Sequence, residues 1–173
     1  DPISAFGSVV AFTEKVDHST ASCLTGKFVE AIIAPGYDND ALEILMKKKN
    51  LRILKLKKPI SKPVPKRMLK HISGGMLVQN IDTEIFETWE VPTKAEFSDS
   101  KRLLAEFGIA AAKHTKSNAI VLVQEYKKNQ FRVLGMGAGQ PNRVDALRKL
   151  SVSKAIENLK DEKPSISEKE IRE

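Results

Sequence analysis

Three short runs, Ser8 to Thr13 (SVVAFT), Ala31 to Ala34 (AIIA) and Leu51 to Leu56 (LRILKL), are apolar or alternating and suit strands. They are separated by two stretches with helix punctuation, and this order constrains the fold more than any other feature. Between the first two runs, Asp17, Ser19 or Thr20 can cap a helix whose face carries Ala21, Leu24 and Phe28. Pro35-Gly36 then breaks the chain. Asp38 or Asp40 caps a second helix, ALEILMKKK, with Leu42, Leu45 and Met46 apolar and Lys47 to Lys49 in its last turn, opposite the negative end of the dipole. Strand, helix, strand, helix, strand is the order of an α/β layer.

The second half continues in the same vocabulary. Gly75 to Gln79 (GMLVQ) reads as a strand, followed by a polar stretch with Trp89 and Pro92. Ser98 or Asp99 begins a helix in which Leu103, Leu104, Phe107, Ala110 and Ala111 repeat at three and four. Ala119 to Tyr126 and Gln130 to Met136 bracket the turn Lys127-Lys128-Asn129, a hairpin. A last helix spans 142–159, with Val144, Leu147, Leu150 and Ile156 toward the core. The expected division is therefore 1–57, a basic Pro-containing connector over 58–73, 74–159, and a polar, frayed or truncated tail over 160–173.

Charge singles out the connector. Lys47 to Lys70 holds nine Lys and two Arg and no acid, so against a net +7 the remainder of the chain stands at about −4. Such a segment either attracts nucleic acid or another polyanion, or is a solvated face and linker. Pro59, Pro63 and Pro65 favour an extended connector. No apolar run approaches the roughly 18 residues of a membrane span. With Cys23 as the only cysteine and no basic and apolar leader in DPISAFGSVV, the expected setting is reducing and cytosolic, and the expected chain is part of a longer one.

The residues exclude some chemistry. One cysteine and three scattered histidines, His18, His71 and His114, cannot build the zinc site of a nucleic-base deaminase. Cys23, beside Leu24 on a helix face, reads as a small buried residue. Three stretches remain. In GMGAGQPNR the third glycine of a dinucleotide fingerprint is replaced by Gln140. Its glycines either let backbone approach an anion at a helix start, with Pro141 and Arg143 in the first turn, or let strand and helix pack closely. The stretch Lys113 to Asn118 (KHTKSN) joins a helix to a buried strand; Asn118 can read a carboxamide, or Ser117 and Asn118 simply end the helix. Ser4-Ala5-Phe6-Gly7 is a small turn ahead of a strand.

Together, DPISAFGSVVAF, VEAIIAPGYDNDALEIL with KKKN, GGMLVQ, AAKHTKSNAIVL and GMGAGQPNRVDALR resemble, in order and spacing over roughly residues 1–159, the aminoimidazole carboxamide ribonucleotide (AICAR) transformylase family. That is the folate-dependent part of a bifunctional purine-biosynthesis enzyme. The resemblance implies a duplicated, zinc-free, cytidine-deaminase-like three-layer α/β fold, of which this chain holds the end of one repeat and most of the next. It implies formyl transfer from 10-formyltetrahydrofolate to AICAR in IMP biosynthesis, within an enzyme that is also an IMP cyclohydrolase, working in the cytosol.

Position by position, the resemblance implies Gly7, Glu30 and Asn118 as AICAR contacts, Asn118 also as the active-site Asn, and Phe6, Gly7, Asn142 and Arg143 as folate contacts. The glycines of GMGAG become clearance beside the folate pocket. Thr115 and Ser117, with Ala112, fall near a segment associated with bound potassium. The family's catalytic Lys-His pair lies upstream, so Lys113-His114 is its duplicate and not its equal; Pro141-Asn142 departs from the family's usual polar-Ser pair. A homodimer with a shared site is implied, with the 173 residues alone inactive and no specific nucleic acid bound. The rivals are a nucleic-acid-binding module using Lys47 to Lys70, and a non-catalytic structural domain.

Overall fold

The computed structural model of the protein describes residues 4–58 and 67–172 and divides into two compact units, residues 2–82 and 83–173. Pro59, Pro63 and Pro65 lie outside the described residues.

In the first unit, β1 (Ser8–Ala11), β2 (Val29–Ala34) and β3 (Arg52–Lys55) form a parallel sheet in that order. Parallel neighbours need crossovers, and α1 (His18–Cys23) and α2 (Asn39–Met46), packed on each other, supply them as the residue pattern required. Val16, Ala21, Val29, Ile32, Ala34, Ala41 and Leu45 form the core. Asp17 caps α1, accepting from the Thr20 amide at 2.8 Å, and that backbone bond holds its carboxyl below the usual carboxylate range.

Several local expectations change. α1 stops at Cys23, so Leu24 is its C-cap and Phe28 lies beyond it, just ahead of β2. The Lys48 ammonium holds the turn between them, donating to the carbonyls of Leu24, Thr25 and Lys27 at 2.9, 2.9 and 2.6 Å. α2 ends at Met46, which places Lys47 to Lys49 past the last turn. Met46 is 72% exposed, because one step beyond the buried Leu45 is a turn of about 100° around the helix. Cys23 is exposed.

β4 (Arg67–Ile72) and β5 (Gly75–Asn80) form an antiparallel hairpin about Gly74, whose φ of +79° needs a residue without Cβ. β5 was expected. β4 falls where the connector over 58–73 was drawn, since Arg67, Lys70 and His71 obscure its apolar residues. The hairpin belongs to the first unit, and the division falls after Asp82, later than the connector.

In the second unit, a 3₁₀ turn (Asp99–Lys101) leads into α3 (Arg102–Lys113). The polar stretch before it is organised by Arg102, whose guanidinium lies 3.9 Å from the Trp89 ring centroid and 5.5 Å from that of Phe86, while Phe97 also packs on Trp89. β6 (Ile120–Lys127) and β7 (Gln130–Gly137) form the expected hairpin, with Asn129 at φ +57° in its turn. A long helix follows as α4 (Arg143–Asp145), a π-helical turn (Ala146–Ser151) and α5 (Val152–Glu162). α3 covers one face of the hairpin, with Phe107 on Phe131 and Gly108 against Val123. The long helix covers the other, where Leu122 and Leu134 line an apolar groove with Val152, Ala155, Ile156 and Leu159. Adjacent Leu122 and Val123 thus face opposite layers, as strand alternation demands.

The long helix uses only part of the face its large apolar residues suggested: Leu150 and Ile156 are half-buried, Ile156 in the groove against Leu122 and Leu134. Val144 is 55% and Leu147 38% exposed, whereas Ala146, Ser151, Ala155 and Asn158 are buried. The step of five from Ala146 to Ser151 is that of a π turn, which shifts the phase of the helix and presents small residues to the strand. The tail is also more ordered than expected. α6 (Glu168–Arg172) opens with a capping box, in which Glu170 accepts from the Ser167 amide at 2.9 Å and Ser167 Oγ from the Glu170 amide at 3.3 Å. Lys163 forms an ion pair with Glu170 at 2.9 Å, and this bond first, then those from Ser167, bring the Glu170 carboxyl down to about 2.

Arg132 on β7 ties the end of α5 to the hairpin. It pairs with both Glu162 oxygens, and its Nε donates to Gln124 Oε1 at 2.9 Å. The Arg132 bond holds Glu162 below the usual carboxylate range. A folded-state pKa below the unfolded one stabilises above the unfolded value, about 4.3, and that stabilisation is lost as pH falls through the folded value. Because Glu162 is half exposed, Glu162→Gln is expected to cost less than about 1 kcal/mol at pH 7. Thermal unfolding measured from pH 7 down to pH 2 should show the gap from wild type closing below about pH 4; a constant gap would refute it.

Candidate functional site

The expected site residues fall into two groups, one in each unit. In the first, Gly7 sits at φ +73° ahead of β1 and donates its N–H to the Phe28 carbonyl at 2.9 Å. This turn lays Phe6 against Phe28, ring centroids 4.9 Å apart, while leaving Phe6 77% exposed. Phe28, Glu30, Lys49, Asn50, Leu51 and Arg52 line an open groove of about 440 Å³ at the amino ends of β2 and β3. Within it Arg52 donates to the Glu30 carboxylate at 2.7 Å. Phe6, Gly7 and Glu30 are therefore neighbours through Phe28. Sequence reasoning missed Phe28, Asn50 and Arg52; only their places just before or at the start of a strand could have pointed to them.

In the second unit, the loops following α3 and β7 are stitched together. Gly139 N–H donates to the Lys116 carbonyl at 2.8 Å, and Asn118 Nδ2 donates to the carbonyls of Gln140 and Pro141, each at 3.0 Å. The Ser117-Asn118 peptide is cis. His114, and neither Ser117 nor Asn118, is the C-cap of α3. Thr115 turns its hydroxyl back to the Ala111 carbonyl at 2.7 Å. Asn142 is the N-cap of the long helix: its Oδ1 accepts from the Asp145 amide at 2.8 Å and its Nδ2 donates to the Asp145 carboxylate at 3.1 Å. Lys149 first, and then Asn142, holds the Asp145 carboxyl below the usual range. The helix begins at Arg143, so Pro141 stands outside its first turn; the Arg143 side chain is exposed. Asn118, Asn142, Arg143, Thr115 and Ser117 thus belong to one pair of joined loops.

The glycines of GMGAG have a different task from the one expected. A Cβ on Gly135 would stand 2.0 Å from the Ser151 carbonyl oxygen, and one on Gly137 2.0 Å from that of Ala146. Their clearance is filled by helix backbone, so close strand-helix packing is the correct reading and a pocket beside these two glycines is not. Gly139, at φ +66°, serves the turn.

The profile of the AICARFT/IMPCHase bienzyme family matches residues 1–154. The chain belongs to that family. It is similar to the bifunctional purine biosynthesis protein PurH of Lactobacillus acidophilus, 42% identical over 163 residues, which cover 93% of this chain and 31% of that protein. The PurH proteins of Petrotoga mobilis and Lactobacillus delbrueckii subsp. bulgaricus are 44% and 45% identical, again over 93% of this chain and 29% and 31% of theirs. The chain therefore spans under a third of the length of these members of the AICARFT/IMPCHase family. Among the described residues no helix is long and apolar enough to cross a membrane, and no group of three or more His, Cys, Asp or Glu could hold a metal ion.

Proposed function

We propose that the chain supplies part of the transformylase site of a bifunctional PurH-type enzyme, transferring the formyl group of 10-formyltetrahydrofolate to AICAR in cytosolic IMP biosynthesis, and not its cyclohydrolase site. The observation that carries this reading is the family match, combined with the convergence of the loop residues Thr115 to Asn118 and the loop 139–143 on one another. The proposed fold is the end of one zinc-free, cytidine-deaminase-like repeat and most of the next, with the shared site completed in a homodimer.

The reaction joins the 5-amino nitrogen of AICAR to the formyl carbon, breaks the bond from that carbon to N10 of the folate, and moves a proton from the amine to N10. The amine is a poor nucleophile, so positioning and proton management dominate. Asn118, held through Nδ2 by two backbone carbonyls, presents its Oδ1 to the substrate amine or carboxamide. Gly7 and Glu30 contact AICAR. Phe6 offers an exposed ring to the flat folate, which fits the Phe6-Phe28 shelf, and Arg143 offers a cation to its carboxylates; Asn142 contributes through the cap that orients Arg143. Potassium, an oxygen-seeking cation, fits the Thr115 and Ser117 hydroxyl oxygens; Thr115 donates its O–H to the Ala111 carbonyl, which leaves its oxygen lone pairs for a cation.

The nucleic-acid reading is disfavoured because Lys48 and Arg52 of the basic strip are engaged with backbone carbonyls and Glu30. The test places this chain in the matching segment of the Lactobacillus acidophilus protein and measures formyl transfer to AICAR. Turnover by the chimera and none by the 173 residues alone is expected; full turnover by the 173 residues alone, or tight salt-sensitive oligonucleotide binding, would overturn the reading. In the chimera, Phe6→Ala should raise KM for the folate about tenfold while leaving the melting temperature nearly unchanged, because the ring is largely exposed. Unchanged KM would remove Phe6 from the site.

A further inference from the structure

We infer that Arg52 is a positioning residue for the substrate site: it fixes the Glu30 carboxylate in the groove at the amino ends of β2 and β3. This rests on the reading of Glu30 as an AICAR contact. Glu30 lies on β2 and Arg52 begins β3, and the parallel register pairs Arg52 with Ala31, the residue after Glu30. The guanidinium reaches the carboxylate at 2.7 Å, and both side chains line the same groove as Phe28 and Asn50.

Exposure argues that the pair serves the site. The side chains are 69% and 44% exposed, and ion pairs in water contribute little to folding. An unpaired glutamate at the amino end of a strand would sample several rotamers, whereas one held by guanidinium keeps an oxygen in a fixed direction. A fixed carboxylate binds a donor-bearing ligand without having to be ordered first. The groove also has a polar neighbour in Asn50 and an aromatic wall in Phe28, which suits the polar face of a nucleotide more than an apolar partner. Lys49, the other cation on the lining, has no such role assigned.

The experiment measures AICAR binding by equilibrium titration, and KM and kcat, in the chimera carrying this chain. Arg52→Gln should weaken AICAR binding and raise its KM about tenfold, with kcat changed less and the melting temperature within about 2 °C of wild type. Arg52→Lys, which keeps the charge, should recover part of the affinity. Glu30→Gln is measured beside them. If Glu30→Gln weakens binding and Arg52→Gln does not, the positioning role is wrong and the site stands. If Glu30→Gln leaves binding intact, the assignment of Glu30 itself fails. If Arg52→Gln lowers the melting temperature by many degrees and weakens binding only in proportion to the unfolded fraction, the pair is structural and the inference is overturned.

Discussion

Gly137→Ala is expected to destabilise the second unit by about 3 kcal/mol or more, the upper end of what overpacking costs. The added methyl would meet the Ala146 carbonyl oxygen at 2.0 Å and its carbon at 2.7 Å, and these atoms are helix backbone, which cannot swing aside as a side chain can. Relief requires moving the π turn away from β7, which would open the contacts that bury Ala146, Ser151 and Ala155. Gly135→Ala should act similarly through Ser151. For a unit of this size the loss corresponds to a fall of roughly 10–20 °C in melting temperature, readable in the fluorescence of Trp89, the only tryptophan. Gly26→Ala is the control: no atom lies within 4 Å of the added methyl, so its effect should stay below about 0.5 kcal/mol. Unfolding of Gly137→Ala at the wild-type temperature would show that the strand and helix are not packed as described.

Asn118→Ala, made in the PurH chimera, is expected to lower formyl transfer by about 10²–10³-fold, the usual consequence of deleting a donor or acceptor that acts in the transition state. Two effects combine. The side chain proposed to face the substrate is lost, and so are both bonds to the Gln140 and Pro141 carbonyls that keep the loop carrying Asn142 and Arg143 against the loop after α3. Asn118→Asp separates them: it retains an acceptor of the same shape but no donor, so low turnover in both variants assigns importance to the loop tie, and recovery in Asp assigns it to the acceptor. Folding should suffer by only about 1–2 kcal/mol, so Trp89 melting can exclude unfolding as the cause. Turnover of Asn118→Ala within twofold of wild type would leave this unit a structural domain.

The residues that could be read in advance are those whose consequences are local. Asp17 caps because its carboxylate reaches an amide three residues on; the β-branched runs become strands; Asn129 takes the left-handed turn of a hairpin. The alternation in β4 was hidden by charge, since a two-stranded hairpin with every residue exposed imposes little burial pattern. The same limit applied to the long helix, where periodicity searches for large apolar residues while the contact with β7 is made by Ala146, Ser151 and Ala155.

The strand, helix, strand, helix, strand order of the first unit, the α/β class and the grouping of candidate residues into SAFG, KHTKSN and GAGQPNR stretches were thus determined by sequence, because propensity, capping and motif spacing act over a few residues. Only the tertiary structure decided what the glycines of GMGAG face, that Lys48 closes the turn after α1, that Arg52 holds Glu30 and that Asn118 ties two loops. Each of these depends on which backbone or side chain, about twenty or more residues away in most cases, arrives within hydrogen-bonding or van der Waals distance, and no local pattern encodes that arrival.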